Sequence, residues 1–445
     1  MARIVIGTFP HAGHTNPMLP LAQGLVARGH EVVWNTSAVH RERIEALGAR
    51  LVPFEHARDF TEYDPEEFAP GKKLKGVESL KLALKHVFID NAPRHMQDLA
   101  DITRSFQPDL LLIEPAFLGG HWFHEVTGLP VAILNVLPME LSSRDTAPNG
   151  LGLPPDASPL GRLRNRALSW AIEHVLFRDV QQHWNAVRVS AGLLKTGWFQ
   201  DTAAKCELYM QPTVPSFEYP RSDLIPHAHF IGAMPASAPR AWMPPAWWNE
   251  LDGSRPVVHV TQGTVANGTP SLIVPTLAGL ADEDVLVVVT TGGRPIEDMQ
   301  LGPLPANARV STFLSYPELL PRTTVMVTNG GYGGTQQALS YGIPLVVAGT
   351  TEDKPEVAAR VAWSGVGINL KTDAPTPVQV RDAVRVLIHD RRYRERAAAL
   401  QAEYARYDAV ANGVALVERL LATGKPVLRS ETVSMPASLM PAALR

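Results

Sequence analysis

A glycine-rich stretch in the second half of the chain carries the clearest chemical signal. In TNGGYGGTQ, residues 328–336, four glycines stand within five positions, between the apolar run VMV and the helix-like QQALSY. Glycine lets the main chain approach a ligand closely or adopt positive φ angles. Backbone N–H groups at a helix start, assisted by the helix dipole, form an anion site. The stretch therefore predicts a phosphate-binding turn, although the same glycines could serve only a tight turn.

Two common phosphate motifs do not fit this stretch. A Walker loop closes with Gly-Lys-Ser/Thr, and no lysine stands here. The dinucleotide fingerprint follows the first strand of a domain, whereas this turn comes late in the chain. A diphosphate held by backbone N–H groups and the hydroxyl of Thr335 fits the pattern better.

The composition limits the other kinds of chemistry. A single cysteine, Cys206, excludes an internal disulfide and a cysteine-based metal site within one chain. A net charge of −3 gives no sign of the basic stripe that a nucleic-acid partner requires. We find no signal peptide, and no apolar run reaches the roughly 18 residues of a membrane-spanning helix. We therefore expect a soluble cytoplasmic protein.

The glycine-rich turn belongs to an alternation of strands and helices that runs through both halves of the chain. ARIVIGTF, a loop, a helix and HEVVWNT form a βαβ unit near the start. Strand-like runs recur as PDLLLIEPAF and LPVAILNV, and later as PVVHVTQGT, DVLVVVTT, VMVTN and IPLVVAG. This alternation predicts an α/β protein with two doubly wound, Rossmann-like domains. We expect them at 1–215 and 246–425, joined by a proline-rich linker at 216–245, with a mobile tail at 430–445.

Three segments, in the right order along nearly the whole chain, resemble the family 1 glycosyltransferases of the GT-B fold. They are AGHTNPMLPLAQGLVARGHEV near the start, RPVVHVTQGT at 255–264, and TNGGYGGTQQALSYGIPLVVAGTTEDKPEVAARVAWSGVG at 328–367. The likeness is greatest to bacterial enzymes that act on macrolides and other natural products. The resemblance implies two domains that face each other across a cleft, with the acceptor on the first domain and the nucleotide-sugar on the second.

On the acceptor side, the resemblance assigns the general base to His14. Histidine suits this role because its ordinary pKa lies near neutrality. The carboxylate that orients this base in the family corresponds to Glu114, which is one methylene longer than the usual aspartate. His11, three residues before His14, is an alternative base. The other interpretation of His14 is packing at the helix entry.

On the donor side, the resemblance assigns a larger set of residues to the nucleotide-sugar. The diphosphate positions include Asn329, where the family has histidine. Gln337 stands where many members bind ribose with glutamate. Phe313 takes the place of the aromatic that stacks on the base, and could equally be a core residue. The full donor set is Thr264, Phe313, Asn329, Gly331, Gly333, Gly334, Thr335, Gln337, Asp353 and Lys354.

Asp353 and Lys354 replace the Asp-Gln pair that binds sugar hydroxyls in the family, and Val357 replaces the usual asparagine. The resemblance therefore implies an inverting transfer from a UDP- or TDP-sugar to a hydroxyl of a small apolar or aromatic acceptor, without a metal or other cofactor. Two alternatives stay open. One is a nucleotide-sugar epimerase or hydrolase of the same fold, and the other is a non-catalytic nucleotide-sugar-binding helper. The sequence is also compatible with a homodimer.

Overall fold

The computed structural model describes residues 1–62, 64–72, 74–236, 242–263 and 270–429. Within them, two parallel sheets form two α/β domains. The first sheet has the order β3-β2-β1-β4-β5-β6-β7 and the second has the order β10-β9-β8-β11-β12-β13. In both, the order reverses beside the first strand, the pattern of a doubly wound sheet. The predicted fold class is confirmed.

The strands of the first sheet are short and almost wholly buried, as expected for a parallel sheet covered on both faces. They are β1 (Arg3–Gly7), β2 (Glu31–Thr36), β3 (Arg50–Pro53), β4 (Leu110–Ile113), β5 (Val131–Leu134), β6 (Leu208–Gln211) and β7 (Ala228–Phe230). The helices between them are α1 (Ala12–Thr15), α2 (Met18–Ala27), α3 (Arg41–Glu45), α4 (Val77–Ala83), α5 (Ala92–Phe106), α6 (Leu118–Thr127), α7 (Pro159–Ala171) and α8 (Arg178–Ser190). Two π-helical segments, Leu84–Ile89 and Ile172–Leu176, continue α4 and α7.

The second domain repeats this plan. Its strands are β8 (Val257–Thr261), β9 (Leu286–Thr290), β10 (Ala308–Ser311), β11 (Val325–Thr328), β12 (Leu345–Val347) and β13 (Gly367–Asn369). Its helices are α9 (Ile273–Leu280), α10 (Tyr316–Leu319), α11 (Tyr332–Ser340), α12 (Lys354–Ser364), α13 (Pro377–His389) and α14 (Arg391–Tyr404), followed by α15 (Ala409–Thr423). None of the helices in the described ranges has the length and apolarity needed to cross a bilayer.

The last helix, α15, packs against the first domain. Its side chains Val414, Val417 and Leu420 share a hydrophobic core with Leu21 of α2 and with β1 and β4. The range 246–425 predicted for the second domain thus ends in a helix that completes the core of the first. The predicted linker 216–245 likewise contains β7, the edge strand of the first sheet. Residues 237–241 and the predicted tail 430–445 lie outside the described residues.

A buried polar network joins the two domains beside the cleft. Glu356 on α12 accepts hydrogen bonds from the backbone N–H groups of Gly150 (2.9 Å) and Gly152 (2.8 Å). Arg360, one turn later, forms ion pairs with Glu356 (2.7 Å) and with the fully buried Glu218 (2.6 Å). Such a network fixes the position of α12 relative to the first domain.

Candidate active site

His14 and Glu114 form a hydrogen-bonded pair at the carboxyl edge of the first sheet. His14 lies in the one-turn helix α1, which follows β1, and Glu114 directly follows β4, the strand beside β1. The sheet order reverses between these two strands, where doubly wound sheets bind their ligands. His14 Nδ1 and Glu114 Oε2 are 2.8 Å apart. The two acceptor-side residues predicted from the sequence are therefore in contact.

Three donors hold the carboxylate of Glu114 in place. Its Oε1 accepts from the N–H of Phe9 (2.9 Å), and its Oε2 accepts from the N–H of Ala116 (2.8 Å) as well as from His14. Burial by itself raises the pKa of Glu114, but the charge of His14 and these hydrogen bonds outweigh it, so the pKa lies below its ordinary value. An ionised Glu114 requires the proton of neutral His14 to be on Nδ1. The Nε2 of His14 is then left as the proton acceptor.

The pKa of His14 is raised above the usual 6.5. Burial opposes this shift, but the charge and hydrogen bond of Glu114 exceed it, and the charges of Asp353 and Glu352 add to it. Both of these carboxylates come from the second domain, so the cleft brings acidic groups from the donor side within electrostatic range of the base. The side chain of His14 retains 17 % of its exposure. A partly accessible base whose pKa is raised by an adjacent carboxylate is suited to general-base catalysis.

Aromatic side chains pack together beside this pair. Phe9 packs edge-on against His14, with ring centroids 5.4 Å apart, and against Phe88 at 4.8 Å. His11 lies 3.0 Å from the carbonyl of Phe60 through Nε2, and burial lowers its pKa. His11 therefore has a partner of its own and is not oriented by a carboxylate, which makes it a poorer base than His14. Phe9 and Phe60 are buried, so Phe88, which is half-buried, is the ring of this group that keeps exposed apolar surface.

The glycine-rich turn lies between β11 and α11, as the sequence predicts. Gly330 has a φ of +89°, and a Cβ atom there would lie 2.7 Å from Val347, so only glycine fits without strain. Gly331 is the N-cap of α11, and Gly333 in its first turn has open space where a side chain would stand. The first N–H groups of a helix have no intrahelical acceptor and can bind an anion. The turn thus offers a bare helix N-terminus.

Two side chains of the turn are less available to a ligand than its backbone N–H groups. The amide of Asn329 donates a short hydrogen bond to the carbonyl of Gln262, which follows β8, so Asn329 ties two strand ends together. Thr335 is fully buried, and its Oγ1 has no partner among the described residues. In this conformation the Thr335 hydroxyl faces the domain interior. The backbone of Gly333 and Gly334 is therefore better placed than the Thr335 side chain to meet a diphosphate.

Asp353 and Lys354 begin α12, next to the turn. Asp353 is the N-cap residue, and burial, reinforced by Glu352, raises its pKa to about 6. Lys354 is buried and forms an ion pair with Glu352, while its aliphatic chain packs near Gly349 and Gly330. The positive charge at this position is thereby compensated within the loop, and the charge of Asp353 acts on His14 across the cleft.

The remaining donor-side residues lie further apart. Phe313, which follows β10, is 56 % exposed and is therefore not a core residue. A Cβ atom at Gly293 would lie 3.5 Å from its ring, so the two loops together form an open aromatic platform. Gln337 lines a cavity with Tyr316 and Ser340, and its Oε1 is buried without a hydrogen-bond partner in the described part of the chain. Thr264 lies outside the described residues.

Glu140 is a carboxylate of the cleft that the sequence did not reveal. It lines a cavity between the domains together with Ser142, Glu173 and Glu356, and it forms no hydrogen bond or ion pair with another described residue. Burial and the charge of Glu114 raise the pKa of Glu140 to about 7, and the charge of His14 opposes the shift. The only sequence signal is its place in the loop after β5, at the same sheet edge as Glu114.

One group of side chains outside this pair has the geometry of metal ligands. Asp90 accepts hydrogen bonds from His86 (2.8 Å) and His183 (2.6 Å), and ligand atoms of the three residues lie within 4.8 Å of one another. None of these residues was assigned to the donor or acceptor by the sequence. The expectation that transfer needs no metal stays a prediction.

The chain is similar in sequence to known proteins over nearly its full length. The family model described as the C-terminal domain of erythromycin biosynthesis protein CIII-like proteins matches residues 274–417. The chain is 47 % identical to 4'-demethylrebeccamycin synthase of Lentzea aerocolonigenes over 423 residues, which cover 94 % of this chain and 100 % of the relative. It is 33 % identical to UDP-glycosyltransferase 2 of Phaeomoniella chlamydospora, over 92 % of this chain and 93 % of the relative.

A solved structure gives the same result for the fold. CalG4, the calicheamicin glycosyltransferase, superposes with a TM-score of 0.71 at 21 % sequence identity, over 96 % of this chain and 100 % of that one. The two Rossmann-like domains and the identity to relatives over nearly the full length lead to one assignment. The chain is a glycosyltransferase and belongs to family 1 of the GT-B fold.

Proposed function

We propose that the protein is an inverting glycosyltransferase that moves a sugar from a UDP- or TDP-sugar to a hydroxyl group of an apolar or aromatic natural product. The observation that carries the proposal is the pair His14–Glu114, whose geometry leaves Nε2 of His14 as the proton acceptor in a cleft that also contains the bare N-terminus of α11. A base and an anion site on opposite domains are what a single displacement requires.

In the proposed step, Nε2 of His14 takes the proton of the acceptor hydroxyl as its oxygen attacks the anomeric carbon. The bond from that carbon to the diphosphate oxygen breaks, and the electron pair leaves with the nucleoside diphosphate. Glu114 stabilises the imidazolium that forms, and the N–H groups of Gly333 and Gly334 stabilise the leaving charge. One displacement inverts the anomeric configuration. No metal is required for the balance of this step.

Two features support the choice of acceptor. Phe88 and Phe68, which are half-buried beside the core cluster of Phe9 and Phe60 next to His14, offer apolar surface of the kind that an aromatic acceptor would need. The relative with 47 % identity is named for the synthesis of 4'-demethylrebeccamycin, and a second relative with 26 % identity is named demethyllactenocin mycarosyltransferase. Relatives named UDP-glycosyltransferase and UDP-glucosyltransferase support a uridine donor.

The test combines a panel of UDP- and TDP-sugars with aromatic and macrolide acceptors. Turnover is measured by release of nucleoside diphosphate, and the configuration of the glycoside is determined by NMR. We expect turnover with one nucleotide class and an inverted anomeric centre. His14→Ala should abolish transfer, while binding of UDP or TDP, measured by calorimetry, stays within about twofold because the anion site lies on the other domain. Retained configuration, or transfer at the wild-type rate in His14→Ala, would overturn the mechanism.

The epimerase or hydrolase alternative would show donor consumption without acceptor. The same panel measures this directly, since each donor is also incubated alone. The helper-protein alternative would account for the changes at Asn329, Lys354 and Val357, but family membership and the intact His14–Glu114 pair favour an enzyme.

A further inference from the structure

The outer face of α7 carries an apolar stripe that no other described part of the chain covers. Leu160, Leu163 and Trp170 are 79, 64 and 59 % exposed, and Val175 in the π-helical continuation is 65 % exposed. The first three residues are separated by three and seven positions, which places them on one side of the helix. Large apolar side chains clustered in this way on a surface mark an interaction site.

The opposite face explains why the helix stands in this orientation. Gly161 and Asn165 are buried, and Asn165 Nδ2 donates to the carbonyl of Arg144 at 3.1 Å. Ser158 caps the helix by accepting from the N–H of Gly161 (3.0 Å). Ser169 lines the cavity between the domains. The stripe is therefore held outward by a fixed inner face and does not result from a loosely attached helix.

Positive charge borders the stripe on both sides. Arg166 borders the row of apolar residues on one side in the helical projection, and Arg164, whose guanidinium donates to Asn165 Oδ1 (2.9 Å), borders it on the other; Arg178 follows the π-helical segment. Neither Arg166 nor Arg178 forms an ion pair with a carboxylate of the described chain. The one acidic residue between 158 and 178 is Glu173, which lines the cavity on the inner side, and the charge of Asp179, directly after Arg178, is paired with two lysines of the α4 region. The outer face of α7 is thus apolar and cationic.

We propose that the outer face of α7 binds the surface of an anionic lipid bilayer. Leucine and tryptophan side chains bordered by arginine are the pattern of helices that lie in the membrane interface, where the apolar side chains enter the acyl boundary and the cations meet the headgroups. A second copy of this chain fits the face less well, because a twofold contact through α7 would bring the two rows of arginines together. The proposal concerns binding and does not depend on the transfer reaction.

The test is flotation of the full chain with vesicles. Vesicles of equal parts phosphatidylcholine and phosphatidylglycerol should bind the protein, and pure phosphatidylcholine should bind it much less. The double variant L163S/W170S should lower the partition coefficient roughly a hundredfold, since two large apolar side chains no longer enter the bilayer. R166E/R178E should lower it roughly tenfold or more and weaken its dependence on salt.

Leu194→Ser is the matched control, because Leu194 is 82 % exposed on the same domain but lies outside α7. This variant should bind the vesicles as the wild type does. Equal melting temperatures show that the variants fold. No binding to anionic vesicles by the wild type would overturn the proposal, as would binding that L163S/W170S leaves unchanged. Sedimentation equilibrium decides the competing case, since a dimer that L163S/W170S dissociates would assign the face to self-association.

Discussion

Glu114→Gln is the most informative single substitution, because the surroundings of Glu114 leave no orientation in which an amide satisfies all of its partners. The carboxylate accepts from the N–H of Phe9 through one oxygen and from Ala116 and His14 through the other. If the glutamine oxygen faces Ala116 and His14, its NH2 group meets the N–H of Phe9. If it faces Phe9, the NH2 group meets Ala116 and forces the proton of His14 onto Nε2, where the base must accept.

The magnitude follows from the bond that is lost. A hydrogen bond to a charged group contributes about 1.5–3 kcal/mol, which corresponds to a loss of roughly 10- to 150-fold in kcat/KM. The pH profile should also move. His14 must be neutral to act, so the wild-type rate should rise with pH through a His14 pKa above 6.5. In Glu114→Gln burial remains but the raising charge is gone, so the pKa of His14 falls and the acid limb shifts to lower pH.

The assay is kcat/KM against pH with nucleoside diphosphate release as the signal. Comparison of the variant with the wild type is needed because Asp353 and Glu140, with pKa values of about 6 and about 7, titrate in the same range. Glu114→Asp is the control, since it keeps the charge and should keep the acid limb high despite its shorter reach. Melting temperatures establish that each variant is folded at the assay temperature. A Glu114→Gln enzyme with the wild-type rate and an unmoved acid limb would refute the reasoning.

Three further predictions follow from the donor side and the domain contact. Gly330→Ala should lower the free energy of unfolding, measured in urea, by about 1–3 kcal/mol because residue 330 has a positive φ. Gly333→Ala should change it little, since a Cβ atom at residue 333 meets open space. Equal losses in the two variants would contradict this. Arg360→Met leaves Glu218 buried without its main partner and should lower the free energy of unfolding by about 3 kcal/mol. Adding Glu218→Gln removes the unpaired charge and should recover part of that loss. A double variant no more stable than the single one would count against the pairing. Asp353→Asn should raise the KM for the sugar donor roughly tenfold and shift the acid limb of the pH profile slightly to lower pH, because the charge of Asp353 raises the pKa of His14. An unchanged donor KM would remove Asp353 from the sugar site.

The pairing of His14 with Glu114 was predicted from the resemblance to family 1 glycosyltransferases, and the fold explains why the two residues meet. Each residue follows a short apolar run, and parallel strands carry their loops to one edge of the sheet. The glycine-rich turn was predictable, since four glycines before a helix restrict the backbone whatever lies around them. These parts of the site are encoded within a few residues.

Other parts depend on contacts between distant segments, which periodicity does not carry. Thr335 follows the glycines, but only the packing of α11 decides that its hydroxyl faces inward. Phe313 could be core or surface until the fold of the loop after β10 exposes it. Glu140 has no motif, and its environment arises from charges contributed by both domains. Chemical type is readable from the sequence at such positions, and orientation is not.

The return of α15 to the first domain has a consequence for engineering. Exchange of whole domains between relatives is the natural way to combine one acceptor preference with another donor preference. A recombination boundary placed only at the linker would pair the first sheet of one parent with the final helix of the other. The residues at positions 414, 417 and 420 from one parent would then pack against the residues that the other parent has at Leu21 and its neighbours. The N-terminal module of a stable chimera is therefore discontinuous in sequence and must include residues 409–423.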